Sequence, residues 1–308
     1  MKAALLPDRG VVKVAGDGAR NFLHGLVTAD ILKLAPGAAR FCALLTPQGK
    51  IIADFIAVEV PAAQAAVEGG GFFLDIPRAL GPTLVAKLNL YKLRAKVTVE
   101  DLSERLGVLA AWNGTWDGAW DGGRTTGYGL CYADPRLLAL GLRIMIPPHD
   151  ASTAAAKFGA DLVTASEYEA HRIALGVPRG EVDFGYGDAF PHEADMDQLG
   201  GVDFTKGCYV GQEVVSRMEH RGIARTRAVP VRYDGAAPQA GVAVMAGAQS
   251  VGIMGSAAHG CGLALLRLDR VADAITRGEP LTAGGAPIRL VKPDWARFAF
   301  PGDNKAAE

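Results

Sequence analysis

The sequence predicts an α+β protein whose C-terminal part turns over to β structure alone. Strand-like and helix-like stretches alternate up to about residue 222, and beyond it short apolar runs separated by glycines replace them. The chain has 308 residues, 49% of them hydrophobic, which is enough for more than one core. A boundary is therefore expected near residue 222, with an α/β region over 1–222 and a small β-barrel or sandwich over 223–308.

Taken in order, Val11 to Val14 reads as a strand. Asp17 is placed to cap a helix whose apolar residues Ala19, Phe22, Leu23 and Leu26 fall at helical spacing. The apolar runs Phe41 to Leu45 and Ile51 to Val60 flank Thr46-Pro47-Gln48-Gly49, a hairpin signal. A strand at Phe72 to Ile76, a helix from about Pro77 to Asn89 and a strand at Lys96 to Glu100 follow. Trp112, Trp116 and Trp120 alternate with Gly and Asp, which predicts a turn-rich surface loop. Leu142 to Ile146 reads as a strand, with helices expected from about Ala151 and near Ser166. Ser166 and Glu169 have capping-box spacing, and Gly176 with Pro178 ends that helix. Val177 to Thr205 is rich in Gly, Asp and Pro and predicts a long ordered loop. A helix from Gly211 or Gln212 to about Gly222 precedes the β region, whose clearest runs are Ala228 to Tyr233, Val242 to Met245, Leu263 to Leu268 and Pro287 to Val291.

Charge excludes some functions. With 33 acidic against 32 basic residues, no global field draws nucleic acid or an acidic membrane surface, so any such contact needs a local patch. One candidate is the cluster Arg217, His220, Arg221, Arg225 and Arg227, which suits phosphate, including tRNA, or an acidic partner; otherwise these are cations settled at a helix C-terminus. Cys42, Cys131, Cys208 and Cys261 show no Cys-x-x-Cys pair, which argues against a self-contained zinc or iron-sulfur site. Scattered cysteines, an N-terminus without signal-peptide order and the lack of a long apolar run predict a cytoplasmic protein off the membrane. Asp183, Asp188, Glu193, Asp195, Asp197 and Asp203 follow one another with no Lys or Arg between them. Their spacing matches no metal loop, so a solvated acidic loop is expected and no metal is assigned.

The segment Lys206-Gly207-Cys208-Tyr209-Val210-Gly211-Gln212-Glu213 carries the most chemistry. An ammonium two positions before a thiol and a helix N-terminus just after it both favour the thiolate, the form that attacks electrophiles and binds soft metals. Cys208 is the candidate nucleophile or ligand, Lys206 its activator, and Gln212 and Glu213 orient the loop or its partner. Alternatively the cysteine fills a small gap at a loop-to-helix junction.

Lys206 to Glu213 resembles the signature of the YgfZ family, folate-binding relatives of the glycine-cleavage T-protein that assist iron-sulfur cluster assembly and repair. Phe22 to Asp30, Leu45 to Phe55, Leu90 to Val99, Asp134-Pro135-Arg136 with Leu140 to Arg143, Arg172 to Pro178 and Phe190-Pro191-His192-Glu193 resemble further landmarks, so the likeness covers nearly the whole chain. It implies a T-protein-like fold: two interwoven α/β subdomains, one ferredoxin-like, around a central cavity, plus a C-terminal β-barrel. It also implies tetrahydrofolate or a derivative as ligand, with Asp54, Arg94 and Glu193 as candidate binding residues, and a transient iron-sulfur cluster at Cys208. Implied partners are iron-sulfur client or assembly proteins, including enzymes that modify tRNA. T-proteins carry an acidic pair after the first hairpin turn, and the matching places are Ala53 and Asp54. One carboxylate is missing, which counts against aminomethyl transfer. A folate-dependent one-carbon transferase using Asp54 is the alternative function.

Overall fold

The computed structural model describes residues 1–60, 70–114, 124–126, 129–222 and 224–302. It divides into two compact units, Met1–Tyr168 with Leu199–Gln212, and Glu169–Gln198 with Glu213–Glu308. Residues 169–198, grouped by the sequence reading with the N-terminal region, thus cluster with the C-terminal residues.

The first unit holds two sheets. Its strands are β1 (Lys2–Leu6), β2 (Arg9–Ala15), β3 (Ala39–Leu45), β4 (Ile51–Val60), β5 (Gly71–Pro77), β6 (Thr98–Asp101), β7 (Gly107–Trp112), β8 (Arg124–Thr126), β9 (Gly129–Ala133), β10 (Leu142–Ile146) and β11 (Asp161–Leu162). Its helices are α1 (Ala19–His24), α2 (Gly81–Tyr91) and α3 (Ala151–Lys157), and α4 (Ala165–Ala174) leads out of it. One sheet has the order β3-β4-β5-β2-β6; the other runs β11-β1-β7-β10-β9-β8. In the first, Val12, Val14, Phe55, Leu74 and Ile76 bury against Leu23, Leu84 and Leu88, so α1 and α2 are held by their apolar faces. In the second, Leu109, Ile144 and Ile146 pack on Ala151, Ala154 and Ala155 of α3.

The expected hairpin is present: Gly49, at φ +81, returns its N–H to the Thr46 carbonyl between paired β3 and β4. Three local readings need correction. Asp17 does not cap α1; Gly18 occupies that position and no side chain caps it. Ser166 lies inside α4, which begins at Ala165, rather than at its cap, and the Glu169 carboxylate accepts from Arg172. Trp112 is a buried residue of β7, edge-on to Tyr168 at 5.2 Å, rather than part of a surface loop. Trp116 and Trp120 lie outside the described residues.

In the second unit, α5 (Gln212–Arg221) precedes β12 (Thr226–Tyr233), β13 (Ala243–Ala246), β14 (Gln249–Ala258), β15 (Cys261–Arg267), α6 (Leu268–Thr276), β16 (Leu281–Ala283) and β17 (Ala286–Leu290). The six strands close into a barrel in the order β12-β15-β14-β13-β16-β17, with β12 also paired to β17. Val229, Val231, Met254, Leu266 and Ile288 share its core with Val271 and Ala274 of α6. Closure satisfies the edges that an open sheet of this size would leave unpaired. Among the described residues no helix is long and apolar enough to cross a membrane.

Candidate functional site

The Lys206 to Glu213 segment is built into the first unit by a chain of backbone anchors. Thr28 starts it: its hydroxyl donates to the Gly201 carbonyl at 2.5 Å and accepts from Ala43 N–H, and the Thr28 carbonyl accepts from Asp203 N–H. The Asp203 carboxylate then accepts from the N–H groups of Thr205 and Lys206, folding a tight turn. From that turn Lys206 points inward. Its Nζ donates to the carbonyls of His24 at 2.6 Å, Val27 at 2.6 Å and Ala29 at 3.0 Å. These carbonyls lie at and beyond the end of α1, where helices leave acceptors unsatisfied and favour positive charge.

Burial pulls the Lys206 ammonium down to about 8. Its three carbonyl acceptors use all three of its donors. Its Nζ also lies 5.0 Å from the centre of the Tyr209 ring, and Tyr209, likewise buried, has its phenol pushed up by burial. Lys206 is thus a structural peg, and its observed contacts differ from those expected of a thiol activator.

Beyond the peg the segment alternates. Gly207 and Cys208 are exposed, Tyr209 is buried, and Val210 packs on the core under α1. Gly211 takes φ +82 with its Cα pressed toward the hairpin turn, where an added Cβ would stand 2.5 Å from the Thr46 carbonyl oxygen. Only glycine meets both conditions, and the chain then enters α5 at Gln212, as expected. Cys208 is the exposed member of the four free cysteines. Burial raises the thiols of Cys42 and Cys131, the latter to about 12, and the Cys261 sulfur sits 2.6 Å from a guanidinium nitrogen of Arg232. His24 faces the same loop: its Nε2 would lie 3.8 Å from a Cβ at Gly207, and its Nδ1 is 3.2 Å from an Asp30 carboxylate oxygen.

The remaining expected site residues disperse. Glu213 pairs with Arg217 at 2.6 Å on the open face of α5, an exposed pair worth about 0.3–0.5 kcal/mol. Arg221 and Arg225 are exposed, whereas Arg227 is buried, so the basic patch is thinner than the sequence suggested. Asp54 is a buried carboxylate on β4 opposite Ala43, and Arg94 is an exposed cation in the turn after α2. A buried carboxylate suits the amide edge of a pterin and an exposed guanidinium suits a glutamate tail, so these two residue types fit a folate. Glu193, in the second unit, accepts from Phe190 N–H and closes its own turn.

Two buried ionic networks escaped the sequence reading. In the first unit, wholly buried Asp75 accepts from Arg9 Nε at 2.6 Å, Arg143 Nη1 at 2.6 Å and the Tyr132 hydroxyl at 2.9 Å. Arg143 also reaches Asp134 at 2.7 Å, which Arg136 clasps with two nitrogens. The guanidinium groups hold both carboxylates below their usual range against burial, and the network braces β2 and β5 of one sheet to β9 and β10 of the other. In the second unit the acidic loop is anchored rather than solvated, which corrects the sequence expectation. Asp183 accepts from Arg172 at 2.9 Å and from Ser256 N–H, while Asp195 and Asp197 both accept from Arg227 at 2.9 Å. The available signal was a lone charge within an apolar strand, as in Phe-Phe-Leu-Asp-Ile or Leu-Arg-Ile-Met-Ile.

Comparison with known proteins adds to this geometry. Residues 225–298 match the family model described as the CAF17 C-terminal beta-barrel domain. The iron-sulfur cluster assembly factor IBA57 homolog, mitochondrial, of Mycosarcoma maydis is 36% identical over 240 residues, 75% of this chain and 57% of that protein. The mouse and human iron-sulfur cluster assembly factors IBA57, mitochondrial, are 32% and 31% identical, each match spanning 94% of this chain and 84% of theirs. The chain spans little more than half the length of the Mycosarcoma maydis and Neurospora crassa relatives, 57% and 54%. Among solved structures, the glycine cleavage system aminomethyltransferase T from Bartonella henselae superposes with a TM-score of 0.74 at 15% identity, covering 97% of this chain and 87% of that one. The fold is therefore the T-protein fold with a closed C-terminal barrel, as the resemblance implied. The expected cytoplasmic location is contradicted by these relatives, which are named as mitochondrial.

Proposed function

Because the chain belongs to the IBA57 family of iron-sulfur cluster assembly factors, we propose that it delivers or repairs clusters by lending Cys208 as one thiolate ligand to a cluster shared with a partner protein. The observation that carries this reading is the presentation of Cys208. It is the exposed cysteine of the four, one residue from buried Tyr209 and two from the Lys206 peg, so it is held at a fixed place while open to a partner. One thiolate falls short of the about four ligands that a stable cluster needs, so the partner supplies the rest and the cluster is cargo.

In the same proposal a folate binds the first unit, with Asp54 holding the pterin edge and Arg94 the glutamate tail. Bound folate would supply a one-carbon or reducing group beside the cluster chemistry; the chain's own residues bind and orient it. The finer likeness to the YgfZ family, and clients that modify tRNA, belong to this proposal as well. The T-protein fold and buried Asp54 favour one second reading, a one-carbon transferase. Mass spectrometry of small molecules co-purifying with the protein, with anaerobic iron and sulfide analysis, tests the set. Folate is expected with wild type and Cys208→Ser alike, and iron and sulfide only where Cys208 is present. Methylene-tetrahydrofolate formation that survives Cys208→Ser and is lost in Asp54→Asn would favour the transferase.

A further inference from the structure

We propose that the second unit holds a divalent transition-metal site formed by His192, Asp197 and Glu219. One donor atom of each lies within 4.8 Å of the others, and they come from separate places: the acidic loop supplies His192 and Asp197, and α5 supplies Glu219. His192 Nε2 stands 3.1 Å from Glu219 Oε2. A tetrahedral ion with bonds of about 2.0–2.2 Å sets its ligands about 3.4 Å apart, so a small closing movement completes the set. Glu219 can make it, since its side chain is 43% exposed while those of His192 and Asp197 are 1% and 3% exposed. One imidazole with two carboxylates is the donor set of Zn²⁺, Mn²⁺ or Fe²⁺ rather than of Ca²⁺.

The surroundings point the same way. Arg227 holds Asp197 with two nitrogens at 2.9 and 2.8 Å and lies 4.4 Å from the Phe298 ring centre. This is how an outer partner fixes a ligating carboxylate; Oδ2 also accepts from Gln198 Nε2 at 2.6 Å, and Oδ1 keeps a second lone pair for a metal. The same Arg227 nitrogen binds Asp195 at 2.9 Å, which sets that carboxyl beside the cluster. Asp195 is wholly buried, and its other oxygen has no hydrogen-bond partner among the described residues. Two carboxylates, Asp195 and Asp197, thus meet one guanidinium, and a third, Glu219, stands on His192. A divalent ion would offset the surplus anionic charge.

Glu219 stands on the helix that follows Cys208, yet the proposed site contains no cysteine and does not depend on the role of that thiol. The test is calorimetric titration of the full chain carrying Cys208→Ser with Zn²⁺, which removes the exposed thiol as a competing ligand. One saturable Zn²⁺ per chain is expected, with affinity at least about tenfold weaker when Glu219→Gln is added. Thermal unfolding should show Glu219→Gln folded and no longer stabilised by Zn²⁺. No saturable binding, or binding unchanged by Glu219→Gln, would overturn the site whatever Cys208 does.

Discussion

Replacing Lys206 with methionine separates a structural peg from a thiol activator. Methionine keeps the apolar stem and removes the ammonium that serves the carbonyls of His24, Val27 and Ala29. At about 1.5 kcal/mol for each charge-assisted bond, the loss is roughly 4–5 kcal/mol gross. Part returns because burying the ammonium is itself costly, as its pKa near 8 shows, leaving a net destabilisation of about 2–3 kcal/mol. Urea unfolding at pH 7 measures this directly, with an unchanged slope and a lower midpoint expected. In parallel, alkylation of Cys208 by iodoacetamide should change by less than about threefold, because the ammonium is committed to carbonyls. An unchanged midpoint with alkylation slowed about tenfold would refute the peg and restore the activator.

Three further outcomes are expected. The Asp75 and Asp134 carboxyls have pKa values below those of the unfolded chain, so the stability they contribute is complete above about pH 4 and lost as pH falls through their folded values. Asp75→Asn should cost about 3–5 kcal/mol at pH 7 and flatten the loss of stability below about pH 4; an unaltered acid limb would count against the network. Gly211→Ala meets both a left-handed backbone and the Thr46 carbonyl, so it should lower stability by about 2 kcal/mol or more, read as a fall in Tm; an unmoved Tm would show that the turn relaxes freely. With Arg227 buried and Arg217 paired, tRNA affinity resting on Arg221 and Arg225 should fall with log salt at a slope no steeper than about −2 and weaken in Arg221→Glu; a slope of −5 or more would require a larger nucleic-acid surface.

Period and turn chemistry made the architecture legible. The Thr46-Pro47-Gln48-Gly49 hairpin, the helix starting at Gln212 and the barrel runs at Ala228 and Leu263 all follow from local pattern. Strand β14 was missed because Gly252 and Gly255 interrupt its apolar run, and those glycines are required by close approaches of Leu265 and Asp183. Cys208 stood out by its neighbours, but the direction of Lys206 did not, since its carbonyl partners lie more than 170 residues away in sequence. The acidic loop misled for a related reason. Arg172 and Arg227, which neutralise it, lie outside the loop, so composition alone described it as solvated.

The central claim is that an exposed thiol, fixed on a scaffold that does not need it for folding, serves cluster assembly. Its most direct measurement is the activity of iron-sulfur enzymes in cells lacking this protein and supplied with Cys208→Ser at wild-type abundance. The variant should unfold at the wild-type temperature and fail to restore those enzymes. Full restoration by Cys208→Ser would contradict the account.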